Sequence, residues 1–332
     1  MKTRFAFAGF RHNHIYDLLS AVEEREDTEL VACCEEDPGA RIALAENGRV
    51  KVSHTNFLTM LAEVECDVVA IGDYYGKRGQ LAIAALRAGR HVLSDKPLCT
   101  SLDEQMEIER LSQSRKLIVG MQLDSRDRGV LRTLREIVRS GAVGDVCTIR
   151  IDGQHPLLYG TRAAWYFEHG RHGGTINDIG IHAFDFVPWI TGLEWGYVAA
   201  ARSWNAKAAS ALLFEDCAQV MAVLSNGAGV LADFSYLAPD KLGYELPHYW
   251  RLLIHGTKGF ADTYLGANGV TVIKDDSTAP EVHPAGPGRP RGYLEDFLLE
   301  LRGEGERAEL TSEQCLRASR LSLEAQRQAV HC

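Results

Sequence analysis

The chain has 332 residues, 45% of them hydrophobic and 24% charged, with a formal net charge of -9. That size and composition fit an ordinary soluble globular chain with room for two domains and substantial cores. The acidic balance excludes a nucleic-acid partner, whose phosphates require clustered Lys and Arg. No window approaches the roughly 20 apolar residues that span a bilayer, and the run after Met1 is too short for a signal-peptide core. A cytoplasmic location without membrane attachment is therefore expected. The eight cysteines (Cys33, Cys34, Cys66, Cys99, Cys147, Cys217, Cys315 and Cys332) show neither a Cys-x-x-Cys pair nor a framework spacing, so free and mostly buried thiols are expected.

Arg4 to Ala8 is a short β-type run. Gly9-Phe-Arg-His-Asn-His14 follows, then an apolar pattern at Ile15, Leu18, Leu19 and Val22 with helical spacing. Strand, glycine turn and helix form the opening of a dinucleotide-binding unit, in which turn amides and the helix N-terminus hold a pyrophosphate. Only Gly9 survives of Gly-x-Gly-x-x-Gly, because Arg11 and His14 stand at the second and third glycine positions. Gly9, Phe10, Arg11 and His12 are the candidate cofactor loop, with Arg11 offering charge to a phosphate.

A second strand, Leu30 to Cys34, ends in Glu35-Glu36-Asp37, and Pro38 is placed to start a helix. Glu35 is positioned to accept hydrogen bonds from a ribose diol and to repel a 2'-phosphate, which favours NAD and leaves NADP as the second choice. The other reading of these residues is a solvated acidic turn. Asp67 to Ile71 is a buried strand, followed by the loop Gly72-Asp-Tyr-Tyr-Gly76, a helix over Gln80 to Ala88 and a strand over His91 to Ser94. The last of these ends in Asp95-Lys96-Pro97-Leu98, with Lys96 held extended by the following proline. A helix over 102–114 and a strand at Leu117 to Gly120 complete the alternation. Such alternation predicts a doubly wound parallel sheet with helices on both faces and ligands beyond the carboxyl ends of its strands. Gly9, Glu35, Gly72, Asp73, Tyr74, Lys96 and Gln122 all fall at or just past those ends.

After Gly144 the pattern changes to alternating runs at Val146 to Asp152, Ala218 to Leu224, Gly229 to Tyr236, Trp250 to His255 and Gly269 to Ile273. Asn226-Gly227 and Asn268-Gly269 supply the turns. A large open, mainly antiparallel sheet is predicted, with a loop over Ala279 to Gly292 and helices over Tyr293 to Leu301 and Ser312 to Val330. The expected domains are 1–121 and 122–332, the C-terminal helix packing back on the first.

Between the halves lies Gly173-Gly-Thr-Ile-Asn-Asp-Ile-Gly-Ile-His-Ala-Phe-Asp185. A helix from about Asn177 puts Asp178, His182 and Asp185 on one face and Ile179, Ala183 and Phe186 on the other, with Pro188 interrupting it afterwards. A histidine between two carboxylates suits a general base near neutral pH; a packed histidine satisfied by one aspartate is the alternative. His12, His14, His155, His169, His172 and His182 raise a metal reading. Without a His-Glu-x-x-His or compact Cys/His spacing no required metal is expected. His155, Arg162, Trp165 and His172 are instead candidates to line a polar substrate cleft, Trp165 equally a core residue.

Three stretches together resemble the glucose-fructose oxidoreductase and inositol 2-dehydrogenase family (Gfo/Idh/MocA). They are the strand-Gly9 turn, Ala88-Gly-Arg-His-Val-Leu-Ser-Asp-Lys-Pro-Leu98, and Gly173 to Asp185 with its Asp-x-Gly-x-His pattern. Gly256-Thr-Lys-Gly259 and the helix at Tyr293 are further similar landmarks. The resemblance implies an N-terminal Rossmann domain for NAD or NADP and a C-terminal α/β domain whose sheet joins subunits into a homodimer or homotetramer. It also implies reversible oxidation of a secondary alcohol on a sugar, sugar acid or inositol. On that pattern Lys96 meets the nicotinamide ribose and the substrate hydroxyl, His182 exchanges the proton, and Asp178 holds His182 or the substrate. Departures from the family are the missing glycines, Gly72-Asp73-Tyr74-Tyr75 in place of Ala-Thr-Pro-Asn, and Asp95 in place of Glu. Two other readings stay open: a nicotinamide-binding sensor without chemistry, and a lyase or glycosidase that uses NAD transiently.

Overall fold

The computed structural model describes residues 2–246 and 249–331, so Cys332 lies outside the described residues. The chain forms two compact units, one of Met1–Gln122, Gly170–Gly173 and Tyr293–Arg320 and the other of Leu123–His169, Gly174–Gly292 and Leu321–Cys332.

The first unit carries five parallel strands, β1 (Thr3–Ala8), β2 (Thr28–Cys34), β3 (Val68–Ile71), β4 (His91–Ser94) and β5 (Val119–Met121), in the order β2-β1-β3-β4-β5. Phe5, Phe7 and the whole of β3 are fully buried, as strands covered on both faces must be. Helices α1 (His14–Glu24), α2 (Pro38–Asn47), α3 (Phe57–Glu63), α4 (Tyr75–Arg87) and α5 (Leu102–Arg115) connect them. α2 starts at Pro38, and the Asp37 carboxylate caps it by accepting from the Ala40 amide at 2.8 Å. α4 begins five residues before the predicted Gln80. Its inward face opens with Tyr75 and Arg78, which carry polar groups into the interior and so break the apolar pattern.

The second unit carries α6 (Gly129–Arg139), β6 (Val146–Pro156), α7 (Ile181–Thr191), β7 (Trp195–Trp204), β8 (Cys217–Leu224), β9 (Gly229–Ala238), β10 (Arg251–Gly256), β11 (Gly259–Tyr264), β12 (Gly269–Lys274), β13 (Glu281–Pro284) and β14 (Val330–His331). The sheet order is β13-β12-β11-β10-β6-β9-β8-β7-β14, antiparallel except for β6 with β9 and β7 with β14. Val230, Ala232, Phe234 and Tyr236 of β9 are buried, whereas Leu231 and its cross-strand partner Met221 lie about half exposed on the other face. Helices α8 (Gly292–Leu301) and α9 (Ser312–Gln328) close the chain.

Three further expectations need correction. The helix expected over Ser312 to Val330 ends at Gln328, and Val330 lies in β14. The predicted loop over 279–292 contains β13, an exposed edge strand paired to β12; its polar Glu281 and His283 and its closing Pro284 hide it from a hydrophobicity scan. Pro188 does not interrupt α7, which runs on to Thr191. Proline removes the amide that would bond the Phe184 carbonyl, and the Trp195 indole N–H donates to that carbonyl instead, at 3.1 Å. Trp195→Phe should therefore cost about 1–2 kcal/mol in urea denaturation, by leaving this carbonyl without a donor.

Candidate active site

In the first unit the β1–α1 turn closes on the end of β3. Gly9 has a φ of +79°, and a Cβ on it would lie 2.5 Å from the Asp73 Cβ; a Cβ on Gly72 would lie 2.4 Å from the Ile15 Cβ. Both positions need glycine on steric grounds. The Phe10 amide donates to Glu35 Oε2 at 2.8 Å, and the Asp37 amide donates to Oε1 at 2.9 Å. Burial raises the Glu35 pKa, and the two amide bonds oppose that rise. Arg11 pairs with Asp37 at 2.5 Å, lies 3.8 Å from Asp73 and stacks on the Tyr74 ring, whose centroid also faces Arg171 at 4.9 Å.

The other side of the turn is a buried network. Arg78, fully buried, donates to Asp95 Oδ2 at 2.8 Å and to the carbonyls of Asp73, Lys96 and Pro97. Lys96 itself is 2% exposed. His12 Nδ1 donates to Asp95 Oδ2, the Tyr75 hydroxyl lies 3.2 Å from His12 Nε2, and His14 Nδ1 lies 3.1 Å from Asp95 Oδ1. Burial works to raise the Asp95 pKa, but the Arg78 charge, with His12 and His14, outweighs it and holds the carboxyl well below its usual range. Burial pulls His12 down to about 4. A neutral imidazole fits this position, since Arg78 already balances Asp95 and the Tyr75 hydroxyl donates to an unprotonated Nε2.

His12, His14 and Asp95 also bring ligand atoms within 4.8 Å of one another. Donors around a tetrahedral zinc with bonds of about 2 Å sit roughly 3.3 Å apart. The His12–Asp95 contact is much shorter than that and is a hydrogen bond, on a carboxylate that Arg78 also holds. Gln122 Nε2 donates to the His14 carbonyl and the Tyr293 hydroxyl, both at 3.1 Å, whereas its buried Oε1 has no partner. His172 faces the Tyr75 ring at 5.5 Å.

This loop fits a dinucleotide. Asn13 at the cap of α1 makes no side-chain bond to the first turn, which offers the helix N-terminus to a pyrophosphate. Gly9 and Gly72 let the turn close against Asp73 and Ile15, and Gln122 Oε1 offers an acceptor to a carboxamide or hydroxyl.

In the second unit the stretch expected to be one α-helix starts with a π-type turn, Ile176–Gly180, before α7. The wider turn shifts Asp178 relative to His182 and Asp185, and the three residues meet different partners. Asp178 accepts from the Tyr236 hydroxyl; His182 Nδ1 lies 3.2 Å from Ser125 Oγ, its ring edge-on to Trp250 at 5.5 Å; Asp185 takes a two-point bond from Arg126 at 3.0 and 2.6 Å. Tyr236 is fully buried, and burial together with Asp178 pushes its phenol well above the usual range. His155 Nε2 lies 3.2 Å from the Tyr249 hydroxyl, and its ring is 5.9 Å from that of Tyr236. Arg162 lies over the rings of Tyr166 and Tyr236 at 4.5 and 5.4 Å. Trp165, 6% exposed, stacks on Tyr166 at 4.1 Å and is a packing residue.

Gly9, Phe10, Arg11, Glu35, Asp73 and Tyr74 thus form one connected set, His12 and Lys96 meet through Asp95 and Arg78, and Asp178, His155 and Arg162 gather around Tyr236. Sequence reasoning missed Arg78, Tyr75, Ser125, Arg126 and Tyr236. Arg78 shares a helical face with Leu81, Ala82 and Ala85, and Tyr236 extends the inward alternation of Ala232 and Phe234, so each carried a signal.

Residues 3–123 match the oxidoreductase family with an NAD-binding Rossmann fold (GFO/IDH/MocA), and residues 131–262 match the GFO/IDH/MocA C-terminal domain. The chain belongs to the GFO/IDH/MocA oxidoreductase family. A crystal structure from Erwinia carotovora atroseptica superposes with a TM-score of 0.87 at 24% identity, over 99% of both chains. That of an inositol dehydrogenase homolog complexed with NAD+ from Azotobacter vinelandii gives 0.78 at 16% identity, over 99% of this chain and 97% of that one. Inositol 2-dehydrogenase 1 of Saccharopolyspora erythraea is 24% identical over 65% of this chain and 62% of its own. The chain spans about half the length of the curated relatives it matches. No helix among the described residues is long and apolar enough to cross a membrane.

Two predictions follow for this GFO/IDH/MocA protein. Arg78→Met strands a buried carboxylate and should lower unfolding stability by about 3–5 kcal/mol at pH 7; Asp95→Asn added to it should recover part of the loss. The folded pKa of His12 lies below its unfolded value of about 6.5, so the unfolded chain binds the extra proton and stability falls as pH drops from about 6.5 toward about 4. Between pH 7 and 5 the wild type should lose about 2 kcal/mol more than His12→Asn, read from urea midpoints at each pH.

Proposed function

We propose that the protein is an NAD-dependent dehydrogenase that oxidises a secondary alcohol of a polyhydroxylated substrate to a ketone. The observation that carries this reading is Lys96, an almost fully buried lysine at the carboxyl end of β4 in an NAD-binding fold, its own carbonyl fixed by Arg78. When bound, NAD+ supplies the hydride acceptor at the nicotinamide C4. The substrate C–H bond gives up its electron pair and the O–H bond its proton, so the residues must manage one proton and the negative charge growing on oxygen. Lys96 stabilises that charge. His182 takes the proton; in the tautomer whose Nδ1–H donates to Ser125 Oγ, the basic lone pair lies on Nε2. Asp178, braced by Tyr236, accepts from a substrate hydroxyl. Glu35 supports NAD over NADP, because its carboxylate, anchored by two amides, retains lone pairs for a ribose diol and opposes a 2'-phosphate.

Incubation with NAD+ and a panel of inositols, aldoses and sugar acids should generate reduced cofactor at 340 nm, faster with NAD+ than with NADP+. Lys96→Met and His182→Ala should each lower kcat by about 10²–10⁴-fold while cofactor binding persists. Binding of NAD+ without turnover of any alcohol would instead indicate a sensor, and eliminated or hydrolysed products without net reduced cofactor a lyase or glycosidase.

A further inference from the structure

Two arginines buried in the units are matched by acids, whereas Arg162, half-buried beside Tyr236, is not. Arg78 is balanced by Asp95 and Arg126 by Asp185. Arg162 forms no ion pair among the described residues. Its Nη2 donates to the Pro156 carbonyl at 2.6 Å and lies 3.4 Å from the Tyr244 hydroxyl, its Nε donates to the Leu157 carbonyl at 3.0 Å, and phenol rings flank it. Those neutral dipoles fix the plane of the guanidinium without cancelling its charge. A half-buried charge held in one orientation and left uncompensated is suited to a planar anion, which the guanidinium fork can meet at two points.

Tyr236 links this cation to a carboxylate. Its ring lies 5.4 Å from the Arg162 guanidinium carbon and its hydroxyl donates to Asp178, so one phenol joins the unbalanced cation to the carboxylate. An ionised Asp178 accepts hydrogen bonds and binds hydroxyls, and the Tyr236 donor tempers its repulsion of a second anion.

Building on the dehydrogenase reading, we propose that the substrate is a hydroxy acid, a uronate or aldonate, whose carboxylate pairs with Arg162 while one of its hydroxyls is held at Asp178. The carboxylate is a spectator: the alcohol carbon loses hydride to NAD+ and its oxygen loses a proton to the base, with the acid's charge unchanged.

The test compares NAD+ reduction with a hexuronate and its parent hexose, and with an aldonate and its alditol, for wild type, Arg162→Gln and Arg162→Lys, with circular dichroism confirming the fold. Wild type should favour the acids by about 10–100-fold in kcat/KM. Arg162→Gln should lower kcat/KM for the acids by about tenfold more than for the neutral sugars, through KM, and Arg162→Lys should restore part of that difference. A wild-type preference for the neutral sugars, or an equal loss on both classes in Arg162→Gln, would overturn the assignment while leaving the dehydrogenase reading intact. If no alcohol is oxidised the dehydrogenase reading falls, and calorimetric titration with the hexuronate decides the Arg162 assignment separately: equal affinity of wild type and Arg162→Gln, or no binding to either, counts against it.

Discussion

One arginine that never meets water sets the geometry of the first unit. Arg78 bonds the carbonyl at the end of β3, the Asp95 carboxylate after β4 and the two carbonyls that follow it. Taking both charges out of water costs so much that such a pair adds little net stability, yet removing either partner is severe. Its effect is positional: the backbone of Lys96 is fixed between Asp95 and Pro97, so the lysine side chain starts from a defined point. Asp95, kept ionised by Arg78, accepts from His12, which burial keeps neutral, and so ties down the β1–α1 turn.

The altered glycine turn is coherent on these terms. Each basic residue of the turn has an acid to meet: Arg11 has Asp37 and Asp73, and His12 and His14 share Asp95. Gly9, the glycine that survives, is the one whose Cβ would strike Asp73. The turn keeps an α1 N-terminus without a side-chain cap bond, as a pyrophosphate needs, and trades the flexibility of further glycines for side chains cross-linked to the neighbouring loops.

Much of the first unit was legible because parallel strands buried on both faces write themselves as apolar runs with glycine and proline between them. The carboxyl-end residues from Gly9 to Gln122 followed from that alternation alone. What escaped was polar and inward: Arg78 and Tyr75 disguised the first turn of α4, and β13, polar and at the edge, resembled a loop. The Tyr236 cluster of the second unit was harder to read. Its central residue, Tyr236, sits 58 positions from Asp178 in the chain, and a one-dimensional pattern cannot pair them. Arg126, which takes Asp185, is similarly 59 positions away.

The stretch from Asp178 to Asp185 shows why helical spacing alone misassigns roles. On an uninterrupted α-helix both carboxylates compete for one imidazole, and the chemistry is ambiguous. The π-type turn at Ile176–Gly180 changes the angular step, Arg126 saturates Asp185 with two charge-assisted bonds, and Tyr236 anchors Asp178. A carboxylate committed to a buried guanidinium has little basicity left to lend, whereas one braced by a neutral phenol keeps acceptor capacity for a substrate hydroxyl. The sequence presents two equivalent aspartates beside His182. The fold makes them unequal, and it does so through residues that lie far from both of them in the chain.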